Sequence, residues 1–187
     1  MTAGPSQLKM LRAALDPLPD APAPEGVRLR PFAPGDEPGI ARVHAASELG
    51  AGTVEDVRTR LLAHPSFRPE RLIVAERLGE IVGTAAAWID RDDPTTGFLH
   101  MLGTLAEHRG RGLGASLVVA TLRRHRSEGL ARQWLRTDEW REDAVRLYLR
   151  LGYRPLHYDA SHPARWAALL GRLGRPELAD EAAWGSA

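Results

Sequence analysis

No cysteine occurs anywhere in the 187 residues, and that single absence removes a disulfide framework, a thiolate nucleophile and cysteine-ligated zinc. A covalent S-acyl enzyme is therefore ruled out. Long apolar runs are missing too, since no stretch approaches the roughly 20 residues that cross a bilayer as a helix. Met1 to Pro24 lacks a continuous apolar core behind basic residues, so it does not read as an export signal. A soluble, cytoplasmic chain without membrane partners is expected. Lysine is almost absent, with Lys9 the only one, and the 25 basic residues against 24 acidic ones leave a formal charge of +1. Such a balance exerts no global pull on nucleic acid, so any preference for anions must come from local clusters. No Gly-Lys-Ser or Gly-Lys-Thr is present, which excludes a Walker-type phosphate loop. The seven histidines show no metal-ligand spacing, His157 and His162 being too thin a pair, and no metal is expected.

What is present suffices for one ordinary globular domain with short extensions, hydrophobic residues making up 43% and charged residues 26%. Leu8, Leu11 and Leu15 fall at helical spacing, and Pro17, Pro19, Pro22 and Pro24 follow as a stiff linker. Residues 1–26 thus read as an N-terminal helix and proline-rich linker, 27–160 as the main domain, and 161–187 as a C-terminal helix and tail. Inside the domain, a strand over 27–32 precedes a helix carrying Ile40, Val43 and Ala46, and Thr53 caps a second helix to Ala63. Leu72 to Ala75 and Ile81 to Ile89 form a hairpin about Leu78-Gly79-Glu80, and Phe98 to Thr104 makes the next strand. A helix over 114–128, a strand over 133–137, a helix over 141–151 and a strand over 153–158 complete the order.

The run His108-Arg109-Gly110-Arg111-Gly112-Leu113-Gly114-Ala115 joins the strand ending at Thr104 to the helix after it. Glycines at 110, 112 and 114 let backbone N–H groups turn toward an anion, and the helix adds its positive dipole end. Arg109 and Arg111 supply the charge that phosphate oxygens require. The same residues also fit Gly-x-Gly-x-x-Ala through Gly110, Gly112 and Ala115, a dinucleotide-fold variant. That motif belongs in the first strand-to-helix turn of a parallel unit, whereas this one lies mid-chain after a hairpin.

The spacing Arg109-x-x-Gly112-x-Gly114 resembles the acyl-CoA signature of the GCN5-related N-acetyltransferases, and the element order from 27 to 158 is similar to that superfamily's. The resemblance implies an α/β (mixed α+β) fold, a central twisted mixed sheet flanked by helices, with acyl-CoA bound where central strands splay. It implies an N-acyltransferase that moves an acetyl group from acetyl-CoA to an amine by direct attack. Pyrophosphate would lie on Arg109, Gly110, Arg111, Gly112, Leu113, Gly114 and Ala115, and pantetheine along the backbone of Leu102, Gly103 and Thr104, an extended ligand added to a ladder. Tyr148, within Ala144-x-x-Leu147-Tyr148 and followed by Gly152-Tyr153, matches the family's acid toward the CoA sulfur.

His100 aligns with the second histidine of the His-x-His-x-Leu pattern in arylalkylamine N-acetyltransferases, Phe98 standing at the first. By strand alternation it shares a face with Leu102 and Thr104. His100 is the candidate base, with Glu107, Asp138 and water as rival proton acceptors. Arg141 stands where the family often has asparagine, Ala106 where it often has proline, and a helix over 161–172 where a seventh strand is usual. That strand is either missing or supplied by a partner chain. Trp166, Leu169, Leu170 and Leu173 on this helix need cover, from a second copy in a homodimer or from the N-terminal helix. A binding domain that senses acyl-CoA without turnover is the alternative function.

Overall fold

The structure is a computed structural model that describes residues 6–90 and 92–184. Its elements are β1 (Leu8–Arg12), β2 (Arg28–Pro31), α1 (Glu37–Ala46), α2 (Val54–Val57), β3 (Leu72–Arg77), β4 (Glu80–Ile89), β5 (Thr96–Thr104), α3 (Leu113–Ser127), β6 (Arg132–Thr137), α4 (Glu142–Arg150), β7 (Arg154–His157), α5 (His162–Arg172) and β8 (Ala183–Trp184). The fold is mixed α/β, as expected. The chain divides into two compact units. One unit joins Met1–Ala13 to Trp134–Ala187, and the other holds Ala14–Gln133.

In the second of these, β2, β3, β4 and β5 form an antiparallel meander. Leu72 to Ala75 of β3 are all buried, which a continuous apolar run covered on both faces requires. Leu78 at φ 52 and Gly79 at φ 81 make the two-residue hairpin turn to β4, whose mirror-image backbone suits the twist of the strands. The α3 helix buries Leu113, Leu117, Val118 and Leu122 on this sheet, and Gly83 admits it: an added Cβ would lie 2.9 Å from Leu117 Cδ1. On the opposite face α1 buries Ile40 and Val43. Thr53 does cap α2, its hydroxyl accepting from Asp56 N at 3.1 Å, but the helix then widens into a π turn over Arg58–Leu62. The linker lies along this unit, Ser116 Oγ donating to Pro22 O at 2.6 Å and Leu15 N to Ala131 O at 3.2 Å.

In the other unit the strand order is β6, β1, β7, β8. β1 runs antiparallel to β7 with Lys9 opposite Leu156, and β8 runs parallel to β7. The N-terminal segment expected to be a helix is therefore a strand. Leu8 and Met10 are both fully buried with Lys9 between them, a period of two that a ten-residue segment expresses as readily as helical spacing. The ladder of β7 decides between them, because pairing satisfies N–H and C=O groups that a short isolated helix would leave at its ends. The same strand answers the question of the missing one, since β7 takes its antiparallel neighbour from this chain's own N-terminal segment. The α5 helix forms as expected, and Trp166, Leu169, Leu170 and Leu173 are buried within the chain itself. Leu178 of the following turn is buried beside them, so this stripe gives no reason to invoke a second copy.

Candidate active site

β5 delivers the chain to the glycine turn. Leu105 is extended and its N–H donates to Val82 O at 3.0 Å, closing the ladder; a short turn over Ala106–His108 follows. Arg109 is again extended, Gly110 takes φ 73 and Gly112 takes φ 87 as the N-cap of α3. Only glycine adopts these left-handed values without cost. Arg109 to Gly112 are exposed, and a Cβ built at Gly110 or Gly112 meets nothing within 4 Å, so both glycines border open space. Leu113 is buried under the helix while Gly114 and Ala115 are half-exposed. The first-turn N–H groups of a helix have no intrahelical acceptor. Here they stand in an open turn whose residues include the exposed Arg109 and Arg111, a composition that suits a diphosphate.

Arg109 already has partners at the other end of its reach. Its Nη2 donates to Ala46 O at 2.9 Å and to Thr104 O at 3.4 Å, tying the end of α1 to the end of β5. Ser47, the next residue, accepts from Thr104 N at 3.1 Å and donates to Thr104 O at 3.2 Å. Nothing in the sequence around Ala45-Ala46-Ser47 signals this role.

Within β5 the register shifts between Thr84 and Ala86 of β4: Gly103 faces Thr84 and His100 faces Ala86, so two residues of β5 oppose Ala85 alone. Met101 in this bulge has φ 51, and Thr84 Oγ1 donates to its carbonyl at 3.2 Å. The extra residue overturns the alternation expected for His100. His100 lies on the face of Gly103, toward α1, and Thr104 lies with Gly83 on the face of α3. His100 stacks on Trp88 at 3.9 Å between ring centroids, and Trp88 stacks on His64 at 3.7 Å with planes 4° apart. Phe98 borders both His100 and Trp88, at 5.1 and 6.2 Å. Sequence reasoning missed the indole stacked with two imidazoles: Phe98 and His100 stand at strand spacing, but that Trp88 lies opposite Phe98 is set by the β4–β5 register.

Tyr148 belongs to the other unit, on the inner face of α4. Its ring meets Tyr153 edge-on at 5.8 Å, and burial holds its phenol well above the ordinary pKa, against the opposing charge of Arg141. A phenol is protonated near neutral pH even at its ordinary pKa, so this upward shift adds nothing to its capacity as a proton donor. Arg141, in the position of the expected asparagine, pairs with Asp138 at 3.5 Å and lies 4.0 Å over the exposed Trp140 ring. Among the described residues no group of three or more His, Asp or Glu side chains could hold a metal ion. No helix among them is long and apolar enough to cross a membrane.

Residues 43–153 match the model of the acetyltransferase (GNAT) family, and the chain belongs to that family. It is 38% identical over 163 residues to a mycothiol acetyltransferase of Thermobispora bispora, covering 82% of this chain and 55% of the relative. A mycothiol acetyltransferase of Frankia alni is 36% identical over 177 residues, covering 87% and 53%. The chain spans about half the length of the curated relatives it matches. Among solved structures, a GCN5-related N-acetyltransferase from Sphaerobacter thermophilus superposes with a TM-score of 0.65 at 26% identity, over 80% of this chain and 49% of that one.

Proposed function

We propose that this chain transfers the acetyl group of acetyl-CoA to an amine, and that the amine is a mycothiol-related one. The observation that carries the reading is the open turn at the start of α3, with glycines at φ 73 and 87 and guanidinium groups on Arg109 and Arg111. Family membership supports acetyl-CoA as donor, and the names of the two relatives support the acceptor. Arg109 to Ala115 hold the diphosphate, and outward main-chain groups of the segment Leu102-Gly103-Thr104, those of Thr104 above all, take the pantetheine amides.

The reaction is a direct displacement. The amine nitrogen attacks the thioester carbon, the tetrahedral intermediate collapses with cleavage of the C–S bond, and the departing thiolate takes a proton from the Tyr148 hydroxyl. The proton lost by the amine passes to His100 or to water. No side-chain thiolate exists to carry the acetyl group in between.

Calorimetry with acetyl-CoA, followed by thiol release with a panel of amines that includes mycothiol-related ones, tests the proposal. Binding with acceptor-dependent thiol is expected. Binding without any acceptor-dependent thiol would instead make the chain a sensor, and absence of heat at millimolar acetyl-CoA would refute both.

A further inference from the structure

Thr104 sits opposite Gly83 in the β4–β5 ladder, between Leu105, whose N–H bonds to Val82, and Gly103. In an antiparallel pair, alternate residues turn both main-chain groups away from the neighbouring strand. Thr104 is such a residue, and one side chain meets both of its outward groups. The Ser47 hydroxyl accepts the Thr104 N–H at 3.1 Å and donates to the Thr104 carbonyl at 3.2 Å. A hydroxyl has one proton and spare lone pairs, so it reproduces the donor and acceptor pattern that an added strand or an amide-bearing ligand would offer.

We propose that Ser47 is a positioning residue whose hydroxyl competes with pantetheine for the main-chain seat at Thr104, so that acetyl-CoA enters only by dislodging Ser47. This rests on the reading of Thr104 as a pantetheine partner.

Three further features tie the seat together. A Cβ at Gly103 would lie 2.8 Å from Ser47 Oγ and 2.8 Å from Leu49 Cδ1, so a glycine at 103 is what lets this loop approach the strand. Arg109, the cation assigned to the diphosphate, donates to the carbonyl of Ala46, one residue before Ser47. The loop that Ser47 opens is held in an unusual backbone path, with Glu48 at φ 53, Gly50 at φ 129 and Gly52 at φ 66. Gly52 is pressed so close to Ala45 that an added Cβ would lie 2.5 Å from the alanine Cβ. Donor binding and the path of loop 47–53 are therefore coupled through Ser47, and coupling of this kind is reciprocal.

The test compares wild type and Ser47→Ala by calorimetry with two probes, acetyl-CoA and 3′-phosphoadenosine 5′-diphosphate, which has the diphosphate and no pantetheine. The substitution is expected to tighten acetyl-CoA by about 3- to 10-fold, the range that one or two net hydrogen bonds span. The second probe should stay within about twofold. An unchanged or weakened acetyl-CoA affinity, or an equal change with both probes, overturns the proposal and leaves Ser47 a structural residue. Wild type that binds no acetyl-CoA overturns the functional reading, and this inference with it. Should Ser47→Ala fail to fold, amide exchange on wild type decides: acetyl-CoA is expected to speed exchange over residues 47–53, and unchanged or slowed exchange there refutes the displacement.

Discussion

Arginine and tyrosine carry the two separable demands of the reaction, holding an anion and giving up a proton. Removing the Arg109 guanidinium deletes a charge-assisted contact to the diphosphate, so Arg109→Ala should weaken acetyl-CoA by about 10- to 100-fold in calorimetry. Tyr148→Phe keeps the buried ring against Tyr153 and removes only the hydroxyl. It should lower kcat by about 100-fold or more while acetyl-CoA affinity holds, a split that steady-state kinetics beside binding measurements will read. Unchanged turnover at saturating acceptor would remove Tyr148 from the mechanism. At this scale the sequence was informative where residue type dictates chemistry. Glycines and arginines in one turn announce an anion seat before any fold is known. It was silent where position depends on a neighbour: the bulge at Met101 moved His100 to the other face from Thr104, and no pattern in one strand reveals a register slip against another.

Elements were legible wherever one periodicity dominates. The buried stripe of α3 and the apolar run of β3 could be read directly, and the N-terminal segment could not, because eight to twelve residues support either period. The two readings of that segment make opposite predictions. In the strand, Met10 is fully buried and Leu11 only partly, whereas the helical stripe would have used Leu11. Met10→Ala should thus destabilise the chain by about 2–5 kcal/mol in chemical denaturation and Leu11→Ala by clearly less. Glycines divide in the same manner between two jobs. Gly112→Ala meets no atom but must hold φ 87, a strain of about 1–2 kcal/mol at the α3 N-terminus, and should weaken acetyl-CoA. Gly97→Ala would put its Cβ 2.2 Å from His125 Nδ1, in the last turn of α3, whereas the anion seat is at that helix's first turn. It should lower stability by at least about 1–3 kcal/mol with little effect on donor affinity once folded.

Across the whole molecule, stability should depend on two histidines that no reaction step uses. Burial depresses His44 and His125 each to about 4, outweighing the pull of Asp56 on the first and, on the second, of main-chain bonds at Ala87 and Trp88 and the charge of Glu128. Unfolded, both titrate near 6.5. Between about pH 6.5 and 4 the unfolded chain binds more protons, so their stabilising effect is complete above that window and is lost as pH falls through it. Each contributes a slope of up to ~1.4 kcal/mol per pH unit. Melting temperatures measured from pH 7 to 4.5 should fall steeply, and His125→Gln should flatten that fall whatever it does to the value at pH 7. The pairing of Lys9 with Leu156 has a further outcome, in time instead of energy. During synthesis the ribosome releases Lys9 about 150 residues ahead of its mate, a wait of roughly 7–30 s at ordinary elongation rates. Throughout that interval an edge with bare amides and carbonyls is on offer to passing polypeptide, and nascent chains stalled before residue 154 should be the ones that chaperones retain.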